Sequence, residues 1–121
     1  MRPRPNAQRQ LAEDLADRIE GIGQVSVHRY FGGVALRAYG VQFGFVMKGV
    51  LYLKVDDVAR RAFEARGCAP FSYLGAAGRV TVADYYEAPS DILDDAEKLS
   101  AWAGDALRAA RAARNGDRIR A

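Results

Sequence analysis

The chain has 121 residues, half of them apolar and 27% charged, with a formal net charge of +3. This is the make-up of one globular domain with a single modest core. No run of about 18 apolar residues occurs, which excludes a membrane-spanning helix, and Cys68 is the only cysteine, which excludes an internal disulfide.

Residues 1–121 read as one domain, with an ordered core over about 10–112 and termini expected to be flexible. Leu11, Leu15, Ile19 and Ile22 recur at helical spacing, with Glu13, Asp14, Asp17, Arg18 and Glu20 on the other faces, as an amphipathic helix requires. Gly21 and Gly23 stop it. Val25 and Val27 suggest a short extended entry into Arg29-Tyr30-Phe31. From Gly33 the period drops to about two. Val34, Leu36 and Ala38 form one strand, and Val41, Phe43, Phe45 and Met47 make the next. Val50–Val55 gives a third, with Leu51, Leu53 and Val55 opposite Tyr52 and Lys54. Tyr39-Gly40 and Lys48-Gly49 are the turns between them, so the run is an antiparallel meander. Gly44 inside the middle strand marks a bulge or a close backbone approach.

Asp56 or Asp57 caps a second helix, in which Val58, Ala62 and Phe63 are expected to face inward, and Gly67 ends it. Phe71–Leu74 and the stretch containing Val80, Val82 and Tyr85 form a hairpin around Gly75–Gly78. Asp94 and Asp95 lead a long last helix with a stripe of Ala96, Leu99, Ala103, Ala106 and Ala110. The expected fold is therefore α+β, a two-layer domain with helices on an antiparallel sheet in the order α-βββ-α-ββ-α.

Few residues offer chemistry. His28 is the only histidine, too few for a zinc-type ligand set with one cysteine, so no metal and no cofactor is expected. Cys68 follows a helix C-terminus, where the dipole raises a thiol's pKa and dulls its reactivity. Ser26, Ser72, Ser90 and Ser100 lie in no nucleophile-elbow motif. The pairs Asp56-Asp57 and Asp94-Asp95 precede helices and are explained by capping. Gly32-Gly33 precedes a strand, so it is no phosphate loop; it reads as a tight turn needing positive φ or close approach, with Phe31 entering the core, and the functional alternative makes Arg29-Tyr30-Phe31 an exposed recognition corner. No catalytic residue is assigned, and the chain is expected not to be an enzyme.

What remains are exposed aromatics beside cations. Tyr52 and Lys54 point away from Leu51 and Leu53, and if helices cover only one face of the sheet, tyrosines line the other. Arg29, Tyr30, Tyr52, Lys54, Tyr85 and Tyr86 are the candidate partner-binding residues, of types enriched where proteins dock. Two alternatives stay open. Arginines at 108, 111, 114, 118 and 120, with the tyrosine face, could bind nucleic acid. Yet the positive charge sits at the ends, and residues 10–107 carry a net −4, which weakens that reading. A pocket with convergent Tyr52, Lys54 and Tyr85 would instead favour a small ligand.

Taken in order, Arg29, Phe31-Gly32-Gly33-Val34, the Gly40 and Gly49 turns, Leu51-Tyr52-Leu53-Lys54-Val55-Asp56-Asp57, Phe63-Glu64-Ala65 with Gly67, Pro70-Phe71-Ser72-Tyr73, Tyr85-Tyr86-Glu87 with Pro89, and the Leu99/Trp102 helix resemble the N-terminal domain of the TfoX/Sxy competence regulators. Tyr30 stands where that family usually has Met, and Ala38-Tyr39-Gly40 and Met47-Lys48-Gly49 replace its commoner Asp-Gly turns. The resemblance implies a bacterial, non-catalytic regulator that assists a DNA-bound transcription activator. It also implies that a chain ending at Ala121 is the N-terminal domain standing alone. A protein partner, or a second copy in a homodimer, is therefore expected, and no membrane. A lone cysteine and an N-terminus, MRPRPNAQRQ, without an apolar stretch behind its arginines point to the cytoplasm.

Overall fold

Three turns of one kind set the sheet. Phe31-Gly32, Tyr39-Gly40 and Lys48-Gly49 each place two successive residues in the left-handed region, the first at φ 43°, 53° and 52° and the glycine at 86°, 72° and 81°. Such two-residue turns carry the twist that antiparallel strands need. They join β1 (Val25–Tyr30), β2 (Gly33–Ala38), β3 (Val41–Met47) and β4 (Val50–Lys54) into a continuous meander. The computed structural model describes the backbone of residues 5–120 and the side chains of residues 7–114; the expected flexibility of the termini falls partly outside these.

The α+β class and the antiparallel two-layer architecture are those expected, with differences of detail. The meander has four strands, not three, because Val25–Tyr30 pairs along its whole length with β2. The remaining elements are α2 (Asp57–Ala65), the hairpin β5 (Pro70–Gly75) and β6 (Gly78–Glu87), a short α3 (Ser90–Leu93) and α4 (Ala96–Arg120). The first helix, α1, spans Pro5–Arg18, so helix extends beyond the expected 10–112 core at both ends. The sheet order is β1-β2-β3-β4-β6-β5, all antiparallel.

A bulge in β3 decides which aromatic goes where. Leu36 pairs with Gly44 but Arg37 pairs with Gln42, leaving Phe43 as the extra residue. The alternation changes phase there. Val41, Phe43 and Val46 turn to the helices, and Phe45 and Met47 turn away, so the four residues expected along this strand divide between two faces. Gly44 permits the close approach: a Cβ would lie 2.8 Å from the Tyr52 carbonyl oxygen. Gly32 and Gly33 divide the two roles foreseen for them. Gly32 supplies the positive φ, and a Cβ on Gly33 would collide with the Val46 carbonyl oxygen.

α1 and α4 lie on one face only. Leu15 from α1, Ile19 just after it, and Leu99, Ala103, Ala106 and Ala110 from α4 pack on Leu36, Val46 and Leu53. Asp56 is the cap of α2, accepting from the Ala59 N–H at 2.8 Å, and Asp95 accepts from the Lys98 N–H at 3.1 Å at the start of α4. On α2 only Phe63 is buried. Val58 is 75% exposed and Ala62 is exposed as well, because the short helix meets the body along one narrow line through Phe63, whose ring lies 4.8 Å from Trp102. The unanticipated α3 follows Pro89 and buries Ile92.

Gly44→Ala is expected to destabilise the protein by about 1–3 kcal/mol, since the added methyl meets backbone. Val58→Ser is expected to change stability by no more than about 0.5 kcal/mol. Urea unfolding of the two variants checks both.

Candidate functional site: an aromatic groove on the uncovered face

The face of the sheet turned away from the helices buries itself by curling. β6 pairs with β4 only through Tyr85, Tyr86 and Glu87. Its ladder with β5 then breaks: Pro70 pairs with Tyr86, but Phe71 pairs with Val82. The residues between have no partner on β5, and the hairpin bends there over the face. Strands spaced about 4.8 Å apart would hold β5 and β3 roughly 14 Å apart in a flat sheet. Instead the Phe71 and Phe45 ring centroids are 5.0 Å apart.

Phe45 is the centre of this cluster. Its ring also lies 5.2 Å from Tyr52, stacked, 5.0 Å from Tyr85 and 5.1 Å from Tyr30. It is 1% exposed although no helix covers it. Offset and edge-to-face geometries of this kind add about 0.5–1.5 kcal/mol per pair beyond burial.

The curl leaves a groove of about 470 Å³. Phe45, Phe71 and Tyr85 form its floor. Tyr30, Phe31 and Met47 make one wall, and Tyr73 and Val82, from the bent hairpin, make the other. Of the two readings of Phe31, core residue or exposed corner, the first is overturned: the side chain is 87% exposed. As the first residue of its turn it is carried beyond the strand end, and it leans edge-on against Tyr30 at 4.9 Å.

At the inner end, Tyr85 is the most perturbed group. Gln42 Nε2 donates to its hydroxyl at 3.4 Å, and the Lys54 ammonium sits 5.2 Å from its ring centroid. Burial pushes the Tyr85 phenol up to about 12. Tyr52 is also raised, first by burial and then by the Glu87 carboxylate.

The six candidate residues do not share one surface. Tyr30, Tyr52, Lys54 and Tyr85 are gathered on the uncovered face, with Lys54 bound to Asp84 at 3.3 Å outside the groove lining. Tyr86 requires a correction. Adjacent strand residues point oppositely, so it is buried on the helix side at 6.1 Å from the Phe63 ring, its hydroxyl donating to Glu64 at 3.0 Å. Arg29 also turns to the helix side, opposite Val34 at the exposed sheet edge. Sequence reasoning missed Phe45, Met47, Phe71 and Val82 as groove residues: Gly44 marks the bulge without saying which neighbour turns away, and the hairpin bend has no residue signature. The exposed setting of Phe31 has a local signal: Phe31-Gly32 has the same large-residue-then-glycine form as Tyr39-Gly40 and Lys48-Gly49.

Other chemistry is sparse among the described residues. No three His, Cys, Asp or Glu side chains are grouped to hold a metal. The Ser26 hydroxyl lies 2.8 Å from His28 Nε2 on the edge strand, and no carboxylate orients that ring. Burial, before any other influence, raises the Cys68 thiol above its ordinary value. Among the terminal arginines, Arg9 pairs with Glu13 at 3.2 Å, Arg108 pairs with Asp105, and Arg111 lies over Tyr39 at 5.5 Å. The side chains of Arg118 and Arg120 lie outside the described residues. No described helix is long and apolar enough to cross a membrane.

Fold and site together define a two-layer α+β domain with one face closed by helices and an aromatic groove on the other. The chain belongs to the TfoX N-terminal domain family, whose sequence profile matches residues 17–110. A search of the curated proteins found no match.

The raised phenol gives a test of the groove floor. A folded pKa above the unfolded value of 10.0 means that Tyr85 stabilises the fold fully below pH 10 and loses that contribution as pH rises toward about 12. Spectrophotometric titration is expected to show tyrosines that ionise late, with the latest of them absent in Tyr85→Phe. The same substitution is expected to flatten the stability loss over that pH window.

Proposed function

We propose that this chain is a non-enzymatic interaction domain that docks an apolar segment of a protein partner into the aromatic groove. The observation that carries this is Phe31, a large aromatic held at φ 43° and 87% exposed on the groove wall. Left-handed backbone costs a bulky L-residue about 1–2 kcal/mol, and exposure returns none of it in the free protein. Asn, Asp or Gly would make the same turn without that cost. A side chain kept there at a loss fits a residue whose burial comes on binding, and aromatic anchors are the residues that dominate such interfaces.

Family membership supports the finer reading. A TfoX-type regulator acts on DNA-uptake genes by assisting a DNA-bound activator, and the groove is the surface through which this domain would hold such a protein. The absence of an assigned catalytic group rests on the lack of a nucleophile, base and orienting acid in one place among the described residues. Direct nucleic-acid binding is less favoured, since Arg9 and Arg108 are paired with neighbouring carboxylates and Arg111 is engaged with Tyr39.

Affinity capture with the tagged chain from its native cells tests the reading. Phe31→Ala is expected to reduce the captured partner by at least about tenfold, in line with loss of an aromatic anchor, while Val58→Ala leaves it unchanged. Equal capture by wild type and Phe31→Ala, or recovery only of nucleic acid released by salt, would reject it.

A further inference from the structure

A second surface lies along the outer edge of the β5–β6 hairpin. β5 ends the strand order, and among the described residues its only strand partner is β6. From Phe71 to Gly75, and from Gly78 to Val82, the ladder is two strands wide, because β6 meets β4 only beyond the bend. A two-stranded ribbon is marginal alone, and its free row of N–H and C=O groups is a template for another strand. Apolar side chains are exposed on both of its faces: Leu74, at 77%, on one, and Tyr73 and Val80 on the other.

Charge decides what fits that edge. Residues 67–78 are twelve successive positions without a charged side chain, the longest such run in the chain. The opposite edge strand, β1, carries Arg29, the kind of charge that blunts an edge against pairing. A foreign strand could oppose a charged edge with complementary charge. A second copy brings the same residues to both sides, so pairing β1 with itself about Val27 or His28 would set Arg29 against a valine and leave its charge without a partner. Pairing β5 with itself opposes no charges at all, in a chain whose net charge of +3 otherwise keeps copies apart.

We infer that the chain forms a homodimer by antiparallel pairing of β5 with β5 of a second copy, making a four-stranded ribbon from two hairpins. Opposed residues of an antiparallel pair share a face, so the two-fold axis passes through a single residue position. Tyr73 is the middle of Phe71–Gly75, and it meets Tyr73 of the second copy, with Ser72 opposite Leu74. The groove lies on the ribbon face that carries Tyr73, so the axis pair abuts one groove wall, whereas Leu74 on the opposite face probes the pairing without touching the groove.

Light scattering and sedimentation of the full chain test this. Wild type is expected at twice the 13.2 kDa chain mass. Tyr73→Lys and Tyr73→Glu are each expected at the chain mass, because like charges meet on the axis, and an equimolar mixture is expected to return to the doubled mass. Leu74→Lys, on the ribbon face away from the groove, is expected to weaken the dimer at least tenfold, with circular dichroism unchanged from wild type. Phe31→Ala, which tests the groove, is expected to leave the dimer intact. A wild type that stays at the chain mass into the high micromolar range overturns the inference. So does a dimer that survives folded Leu74→Lys and both Tyr73 variants.

Discussion

Phe45 must be buried on a side of the sheet that has no helix to bury it, and much of the molecule is shaped by that demand. Taking one phenylalanine out of water contributes roughly 1.5–3 kcal/mol, but a single-layer sheet gives only half of the enclosure. The rest comes from Tyr30, Tyr52, Tyr85 and Phe71, drawn in by sheet curl until four ring centroids stand between 5.0 and 5.2 Å from Phe45. The register break at Pro70/Phe71 is what lets the hairpin bend far enough. The groove is a by-product of the same geometry: rings that converge on one buried centre leave a concave margin where their outer edges diverge.

The two faces of the sheet therefore solve burial differently. On the helix side Leu, Val and Ala interdigitate with α1 and α4, and polar atoms are scarce. Tyr86 is tolerated there because Glu64 receives its hydroxyl at the boundary. On the other side the buried surface is aromatic, with phenol groups that can reach water or a polar partner at one end. Tyr85 marks the limit of this arrangement. Its hydroxyl is far enough inside to resist ionisation, yet Gln42 still supplies a hydrogen bond. An aromatic face can be dry at its centre and wet at its rim, which is the property a docking surface needs when it must also be stable unoccupied.

Much of the fold was legible in the sequence because its signals are local. Period-two alternation, Tyr39-Gly40 and Lys48-Gly49 as turns, a carboxylate ahead of α2 and of α4, and Gly67 behind α2 each depend on a few adjacent residues. β1 was underestimated because only Val25 and Val27 carry its apolar alternation. Val58 misled because a helix of nine residues, Asp57–Ala65, has apolar positions it does not need. The site was harder to read. Simple alternation from Leu51 and Leu53 puts Tyr52 and Lys54 on the uncovered face, whereas Tyr30 and Tyr85 were candidates by residue type alone. Tyr86 was grouped with Tyr85 by composition, although alternation puts neighbours on opposite faces. Phe43 and Phe45 could not be told apart at all, since the bulge that separates them is a property of the pairing with β2 and not of the segment itself.

The placement of strain completes the picture. Phe31, Tyr39 and Lys48 all occupy left-handed backbone at the first turn position, yet they are not equivalent. Tyr39 recovers part of its cost by lying under Arg111 and against Gly23, tying the turn to α4. Lys48 keeps a solvated charge, and its backbone N–H is held by Gln8 of α1 at 2.6 Å. For Phe31 the compensation found among the described residues is the edge of Tyr30. The turn backbone is secured from behind, where Gln8 donates to the Gly32 carbonyl oxygen at 3.0 Å. α1 thus fixes the two turns flanking the groove mouth from the helix side, while their side chains project on the other. A rigid turn presenting an unburied aromatic costs stability and gains pre-organisation, and pre-organisation is the part of binding energy that contact area alone does not supply.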